Sequence, residues 1–223
     1  MPPLPRPDAL IFDLDGTIVD NMALHAEAFA VFAERHGLPR LTRSDRAKLD
    51  GRRNSEIFPV LFDRALARDE WLVYEKEKEG LYRELSRGRL TPVSGLAALL
   101  DWCAGDGIAV ALATSAPEPN VLHTLREIGL SSAFPVVVRG DQVPHGKPAP
   151  DVFLEAARQL AVAPGLCLVF EDALMGVTAA QAAGMFVVAL TTSFDASHFT
   201  SLATPPDWVL ADFEEFLAAM AVR

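Results

Sequence analysis

Ala9-Leu10-Ile11-Phe12-Asp13-Leu14-Asp15-Gly16-Thr17 is the stretch that decides how the rest of the chain is read. Ala9 to Phe12 is a short apolar run of the kind that forms a buried strand. Gly16 then allows a sharp turn where a side chain would collide. The strand ends by presenting the carboxylates of Asp13 and Asp15 at its C-terminal edge. In open α/β sheets that edge is where ligands bind. Asp and Gly also favour ordinary turns, so this stretch alone leaves both readings open.

Beyond it the period changes. Met22, Ala26, Phe29, Ala30 and Ala33 recur at helical spacing, and Gly37 and Pro39 end that helix. A polar segment over 43–48 leads to Gly51, and helical patterns resume over 55–67 and 69–85. No strand candidate occurs between Asn21 and Arg89. Alternation then restarts, with helices over 94–103, 117–128, 149–160, 177–183 and 213–221. Strands are expected over 108–113, 134–138, 166–170, 186–190 and 208–210. Strands alternating with helices predict an α/β fold built on a doubly wound parallel sheet. Its core takes residues 1–20 and 90–223, and residues 21–89 form an inserted all-helical domain.

Composition narrows the partners. A net charge of −10 argues against nucleic acid, whose phosphates need clustered Lys and Arg. It leaves room for a small phosphorylated substrate, whose local charge a divalent cation would reverse. Cys103 and Cys167 lack C-x-x-C spacing and read as reduced core residues. No apolar run reaches membrane-spanning length, and the Pro-rich start over 1–7 has no signal-peptide core. A soluble cytoplasmic protein is expected. Its oligomeric state is open in the sequence, with a monomer as the default.

Further candidates sit where strands end. Thr114-Ser115 offers hydroxyls and backbone N–H groups at a strand-to-helix turn, suited to an anion or, more plainly, to a helix cap. Lys147 precedes a helix in His145-Gly146-Lys147-Pro148, where a solvated loop lysine is the plain alternative. Glu171-Asp172 close an apolar strand as adjacent carboxylates that need a compensating cation, although helix N-termini also tolerate acids. Gly176 permits a close turn four residues beyond Asp172. A doubly wound sheet can gather these groups in one crevice. Together they are what phosphoryl transfer requires: a carboxylate to attack, a lysine and a metal to offset charge, and a second carboxylate to move protons.

In this order the motifs resemble those of the haloacid dehalogenase superfamily, across essentially the whole chain. Asp13-Leu14-Asp15-Gly16-Thr17 matches its first motif, Thr114 the second, Lys147-Pro148 the third, and Glu171-Asp172 with Gly176 the fourth. The helical insertion resembles the small cap domain of the branch that contains β-phosphoglucomutase and related sugar-phosphate phosphatases. The resemblance implies a Rossmann-like core. It implies that Asp13 is the nucleophile, forming an aspartyl-phosphate, and that Asp15 is general acid and then base. Mg²⁺ is implied among Asp13, the backbone carbonyl of Asp15 and Asp172, with Glu171 either binding it through water or orienting Lys147. Thr114 and Lys147 are implied to hold the transferring phosphoryl group, with Ser115 among the substrate-binding candidates. Asp15 sets the chain apart from the family's ATP-driven pumps, which carry Thr there.

The cap adds substrate-binding candidates. His25 lies twelve residues after Asp13, the offset of a cap histidine in the mutase branch. Its plain reading is a helix histidine packed with Phe29 and Phe32. Gly51-Arg52-Arg53-Asn54 resembles a cap loop that meets substrate, and Lys78 resembles a cap lysine facing the site. The alternative for Lys78 is a solvated face shared with Lys76 and Glu79. The mutase carries an arginine three residues past the loop glycine, where this chain has Asn54. The expected function is a Mg²⁺-dependent phosphatase of a small sugar or polyol phosphate. A phosphosugar mutase is the alternative, and a receiver-like signalling module phosphorylated on Asp is a more distant one.

Overall fold

The computed structural model describes residues 6–221, so most of the Pro-rich start lies outside the described residues. Strands β1 (Ala9–Phe12), β2 (Ala109–Thr114), β3 (Val136–Arg139), β4 (Cys167–Glu171), β5 (Phe186–Leu190) and β6 (Trp208–Leu210) form one sheet. Their order is β3-β2-β1-β4-β5-β6, and every pairing is parallel. The register pairs Phe12 with Leu112 on one side and Phe170 on the other. Parallel strands are covered on both faces, which is why β1 and β4 read as unbroken apolar runs.

On one face Leu10, Phe12, Leu112, Phe170 and Val188 pack beneath helices α5 (Leu96–Asp106) and α10 (Phe213–Ala221). Phe170 stacks on Phe12 at 5.2 Å and meets Phe213 and Phe216 edge-on at 5.1 and 4.9 Å. On the other face Ile11, Ala113, Val169 and Val187 pack against α7 (Asp151–Leu160) and α8 (Leu174–Ala182). Cys103 and Cys167 are free and buried, as expected.

Between Asn21 and Arg89 the described chain forms helices alone: α1 (Met22–Arg35), α2 (Arg43–Leu49), α3 (Asn54–Leu61) and α4 (Arg68–Ser86). The two connections to this block run side by side. Val19 bridges to Pro92, and Val93 N–H donates to the carbonyl of Ile18 at 3.0 Å.

Several boundaries differ from expectation for local reasons. The helix expected over 55–67 is α3 and stops at Leu61, where Asp63 leaves the helical region at φ 50 and Arg64 N–H closes the end on the carbonyl of Pro59 at 3.1 Å. The polar segment over 43–48 is a true helix, held by a capping box between Thr42 and Asp45. The helix expected to start at Ser94 starts at Leu96. Gly95 takes φ +83, and any side chain there would meet the backbone of Phe213 and Glu214. The strand expected over 134–138 is β3, shifted to Val136–Arg139. Helices α6 (Glu118–Glu127) and α9 (Ala196–Thr200) complete the set, and α9 is too short to show a period in sequence.

Phe170→Ala removes the centre of the aromatic cluster and is expected to cost about 3–5 kcal/mol. Urea unfolding followed by circular dichroism measures this, and a loss below about 1 kcal/mol would contradict the packing described.

Candidate active site

The strand order reverses between β1 and β4, the switch point at which open α/β sheets leave a crevice. Asp13 follows β1, Glu171 ends β4 with Asp172 beside it, and Thr114 ends the neighbouring strand β2. Lys147 enters from the loop before α7 and is buried. Its ammonium donates to Asp13 Oδ1 at 2.5 Å, to Glu171 Oε1 at 2.6 Å and to the carbonyl of Ala113 at 3.2 Å. Glu171 Oε2 accepts from the backbone N–H groups of Asp172 and Ala173, each at 3.0 Å. Both oxygens of Glu171 are thus engaged, and one of them aims Lys147.

Two glycines make room for these carboxylates. A side chain at Gly16, which takes φ +82, would overlap the carboxylate of Asp172. A side chain at Gly176 would overlap the carboxylate of Glu171. Asp172 accepts from the hydroxyls of Thr17, at 3.1 Å, and Ser193. Thr17 entered the sequence reading only as the end of the first motif, and Ser193 was not singled out, since a Ser in a turn carries no distinguishing pattern.

Carboxylate oxygens of Asp13, Glu171 and Asp172 all lie within 4.8 Å of one another and are buried. Burial, and then the Glu171 charge, push Asp13 up to about 7 against the pull of Lys147. Burial with the charges of Glu171 and Asp13 raises Asp172 well above the usual carboxylate range. Burial alone would lower Lys147, but Asp13 and Glu171 outweigh it and raise it. Fully ionised, these three carboxylates and one ammonium would leave a net charge of −2 in a buried site. An oxygen-rich donor set with that deficit fits a hard divalent cation such as Mg²⁺.

Asp15 behaves differently. Burial would raise it, but the charge and contact of His25, a hydrogen bond from Asn21 and the charge of Lys78 hold it below the usual range. Asn21 Nδ2 donates to Asp15 Oδ1 at 2.6 Å, and Asn21 Oδ1 accepts from the N–H of Gly16 at 3.0 Å. Sequence reasoning missed Asn21, because an Asn before a helix reads as a cap. Its side chain makes no cap bond here and turns to the site instead.

The helical block closes the crevice. His25 Nε2 lies 3.4 Å from Asp15 Oδ1 without hydrogen-bond alignment. The ring stacks on Tyr82 at 3.8 Å rather than packing into the Phe29 and Phe32 side of the helix. His25 Nδ1 lies 2.9 Å from Lys78 Nζ, which also donates to Glu79 Oε1 at 2.9 Å and sits over the Phe29 ring. Lys78 is therefore a buried residue of the crevice, whereas Lys76 is on the solvated face. Asn54 donates to Glu75 and Glu79 at 3.1 and 2.8 Å. Glu79 Oε2 accepts from Asn120 of α6 at 2.6 Å, joining block to core. Neither Glu79 nor Asn120 had a sequence signal that pointed to the site.

Thr114, Ser115, Gly51, Arg52 and Asn54 line one crevice with Asp13 and Asp15. Thr114 Oγ1 also accepts from the N–H of Ala116, so its turn-forming use is real as well. Ser115, expected to meet a phosphoryl group, donates to the carbonyl of Gly51 at 2.6 Å. Arg53 is not brought to the crevice. It pairs with Glu56 at 2.7 Å and donates to the carbonyls of Gly140, Val143 and Pro144.

A parallel α/β sheet with an acidic cluster at its switch point and a helical block closed over it defines the class. The chain belongs to the haloacid dehalogenase-like hydrolase family, whose model matches residues 10–190. This sets aside the receiver-module reading. The chain is 35% identical over 182 residues to a phosphorylated carbohydrates phosphatase of Thermotoga maritima, covering 80% of this chain and 82% of that protein. It is 32% identical over 188 residues to the β-phosphoglucomutase of Bacillus subtilis, covering 81% of each. Among solved structures, CbbY from Rhodobacter sphaeroides with xylulose-(1,5)bisphosphate superposes with a TM-score of 0.81 at 25% identity, covering 94% of this chain and 96% of that one.

The raised carboxyls give a prediction with a definite sign. Folding raises Asp13 and Asp172, so the native metal-free protein binds protons that the unfolded chain releases. Its stability therefore falls as pH climbs from 3.8 toward about 7. A cation needs the deprotonated ligands and competes with those protons. The rise in melting temperature on adding Mg²⁺ is expected to be larger at pH 8 than at pH 6, measured against chelator-treated protein. An equal or smaller rise at pH 8 would contradict it.

Proposed function

We propose that this chain is a Mg²⁺-dependent phosphatase that hydrolyses a small sugar or polyol phosphate through an aspartyl-phosphate on Asp13. The observation that carries this reading is the pairing of buried Lys147 with Asp13, which lines one crevice with Thr114 and Asp15. Phosphatase and mutase relatives at more than 30% identity support the same chemistry.

In this reading Asp13 attacks phosphorus while the phosphorus–oxygen bond to the organic group breaks. Asp15 gives its proton to the departing oxygen. Asp15 is held ionised in the empty crevice, and the negative charge of an entering phosphoester raises it toward the proton-carrying form. Water then attacks the aspartyl-phosphate, Asp15 takes its proton, and free phosphate leaves as the Asp13 carboxylate is restored. Lys147 offsets charge at Asp13, and Glu171 keeps Lys147 aimed. Asp13, Asp172 and the backbone carbonyl of Asp15 would hold Mg²⁺. Bound there, it would neutralise charge on the phosphoryl oxygens. His25, tied to Lys78, orients Asp15.

Hydrolysis is favoured over mutase chemistry by Asn54. A mutase must grip a second phosphate firmly, and an arginine fork suits that task. Asn54 is uncharged, buried and committed to Glu75 and Glu79.

Asp13→Asn is expected to abolish phosphate release without loss of fold, since an amide does not form the acyl-phosphate. Asp15→Asn is expected to slow turnover by about 10²–10⁴-fold. A malachite-green assay with Mg²⁺ reads both, and near-normal turnover by Asp13→Asn would overturn the proposal. Excess chelator is expected to remove activity. With β-glucose 1-phosphate, Mg²⁺ and catalytic glucose 1,6-bisphosphate, free phosphate is expected to accumulate faster than glucose 6-phosphate. The reverse order would establish the mutase.

A further inference from the structure

Asp15 carries the proton in the reaction proposed above, so the aim of its carboxylate bears directly on the rate. Its contacts with Asn21 and His25 both end on Oδ1. Oδ2 is thereby left to carry the proton. Neither holder fixes itself. The amide of Asn21 can turn over, and the ring of His25 can rotate about its side-chain bonds. One residue of α4, Tyr82, restrains both.

Tyr82 is fully buried and does not line the crevice. Its hydroxyl accepts from Asn21 Nδ2 at 2.6 Å. The same amide nitrogen donates to Asp15, and the amide oxygen accepts the N–H of Gly16. Asn21 is thus held at three points, and turning it over would break all three. The Tyr82 ring lies on the His25 ring at 3.8 Å, with 12° between the planes. One turn earlier on α4, Lys78 meets Nδ1 of the same histidine at 2.9 Å. Tyr82 is itself anchored, since its hydroxyl lies 3.4 Å from Thr124 Oγ1 of α6. Burial, and then the charge of Asp15, push the phenol upward, so it stays neutral and is not the proton carrier. Phenylalanine would supply the same ring for packing. The oxygen is what packing does not require, and it is spent on Asn21.

We infer that Tyr82 is a positioning residue for proton transfer: its hydroxyl aims Asn21, its ring aims His25, and through them it sets the carboxylate of Asp15. This rests on the reading of Asp15 as general acid and deepens it, because it ties that acid to α4 and α6.

Leaving groups separate this role from a structural one. Fructose 1-phosphate and glycerol 3-phosphate expel alkoxides that need a proton, whereas p-nitrophenyl phosphate expels a phenolate that does not. The quantity read is kcat/KM with Mg²⁺ for the faster of the two alkyl phosphates, against kcat/KM for p-nitrophenyl phosphate. Tyr82→Phe keeps the ring and removes only the oxygen. It is expected to lower the alkyl value about 10- to 100-fold and the aryl value less than about threefold. Misfolding or a smaller active fraction would lower both alike, so equal losses, or none, would overturn the inference. Asn21→Ala is expected to show the same selective loss, and adding Tyr82→Phe to it is expected to change little further. Fully additive losses would overturn the route through Asn21. Asp15→Asn calibrates the assay. Equal losses there on alkyl and aryl substrates would sink the reading of Asp15, and the inference with it. A selective loss in Asp15→Asn without one in Tyr82→Phe would sink the inference alone. If Tyr82→Phe melts below the assay temperature, 3-fluorotyrosine at position 82 in a Tyr74→Phe background carries the same comparison. Fluorine weakens the phenol oxygen as an acceptor and leaves the ring in place, so a selective alkyl loss is again expected and equal values would overturn the inference.

Discussion

A single buried ammonium among three carboxylates is the interaction on which the rest of the site depends. Removing one partner of a buried pair typically costs about 3–5 kcal/mol, because the other charge is left stranded. The surrounding sequence serves that balance. The strand order sets Asp13 and Glu171 on adjacent strand ends. Gly16 and Gly176 leave space for the carboxylates of Asp172 and Glu171. Backbone N–H groups of Asp172 and Ala173, with the hydroxyls of Thr17 and Ser193, supply neutral donors that lower the cost of burial. What remains is a deficit of positive charge, which a divalent cation held among the carboxylates would reverse.

The contrast between Asp13 and Asp15 follows from what faces each. They are two residues apart and both buried, yet Asp13 is raised while Asp15 is lowered. Asp13 shares its space with other carboxylates. Asp15 faces the helical block, where His25, Asn21 and Lys78 all favour the charged form. Environments that separate two titratable groups in this way are how one site assigns nucleophile and proton carrier.

Much of this was legible in the sequence, and the reason is periodicity. Strands β1, β4 and β5 announced themselves as apolar runs, and the carboxylates stood at the ends of β1 and β4. The helical block was legible as an absence of strand signals. Features set by tertiary contact were not legible. Arg53 looked like a substrate ligand and Ser115 like an anion donor, because only the folded chain shows which partner each side chain meets. Asn120 and Glu79 join across the crevice from opposite sides, a relation with no local pattern. The end of α3 was not legible, because it is set by Asp63 leaving the helical region at φ 50.

The apolar cluster on the α5 and α10 face of the sheet does not stop at the sheet. Leu10 and Phe12 of β1 belong to the same buried cluster as Leu24, Phe32, Phe58, Leu81 and Tyr82 of the helical block. Any swing of that block away from the crevice wets hydrocarbon at the joint as well as breaking polar contacts such as Glu79 to Asn120. Wetting hydrocarbon raises heat capacity. The free-energy cost of any such opening would therefore curve with temperature.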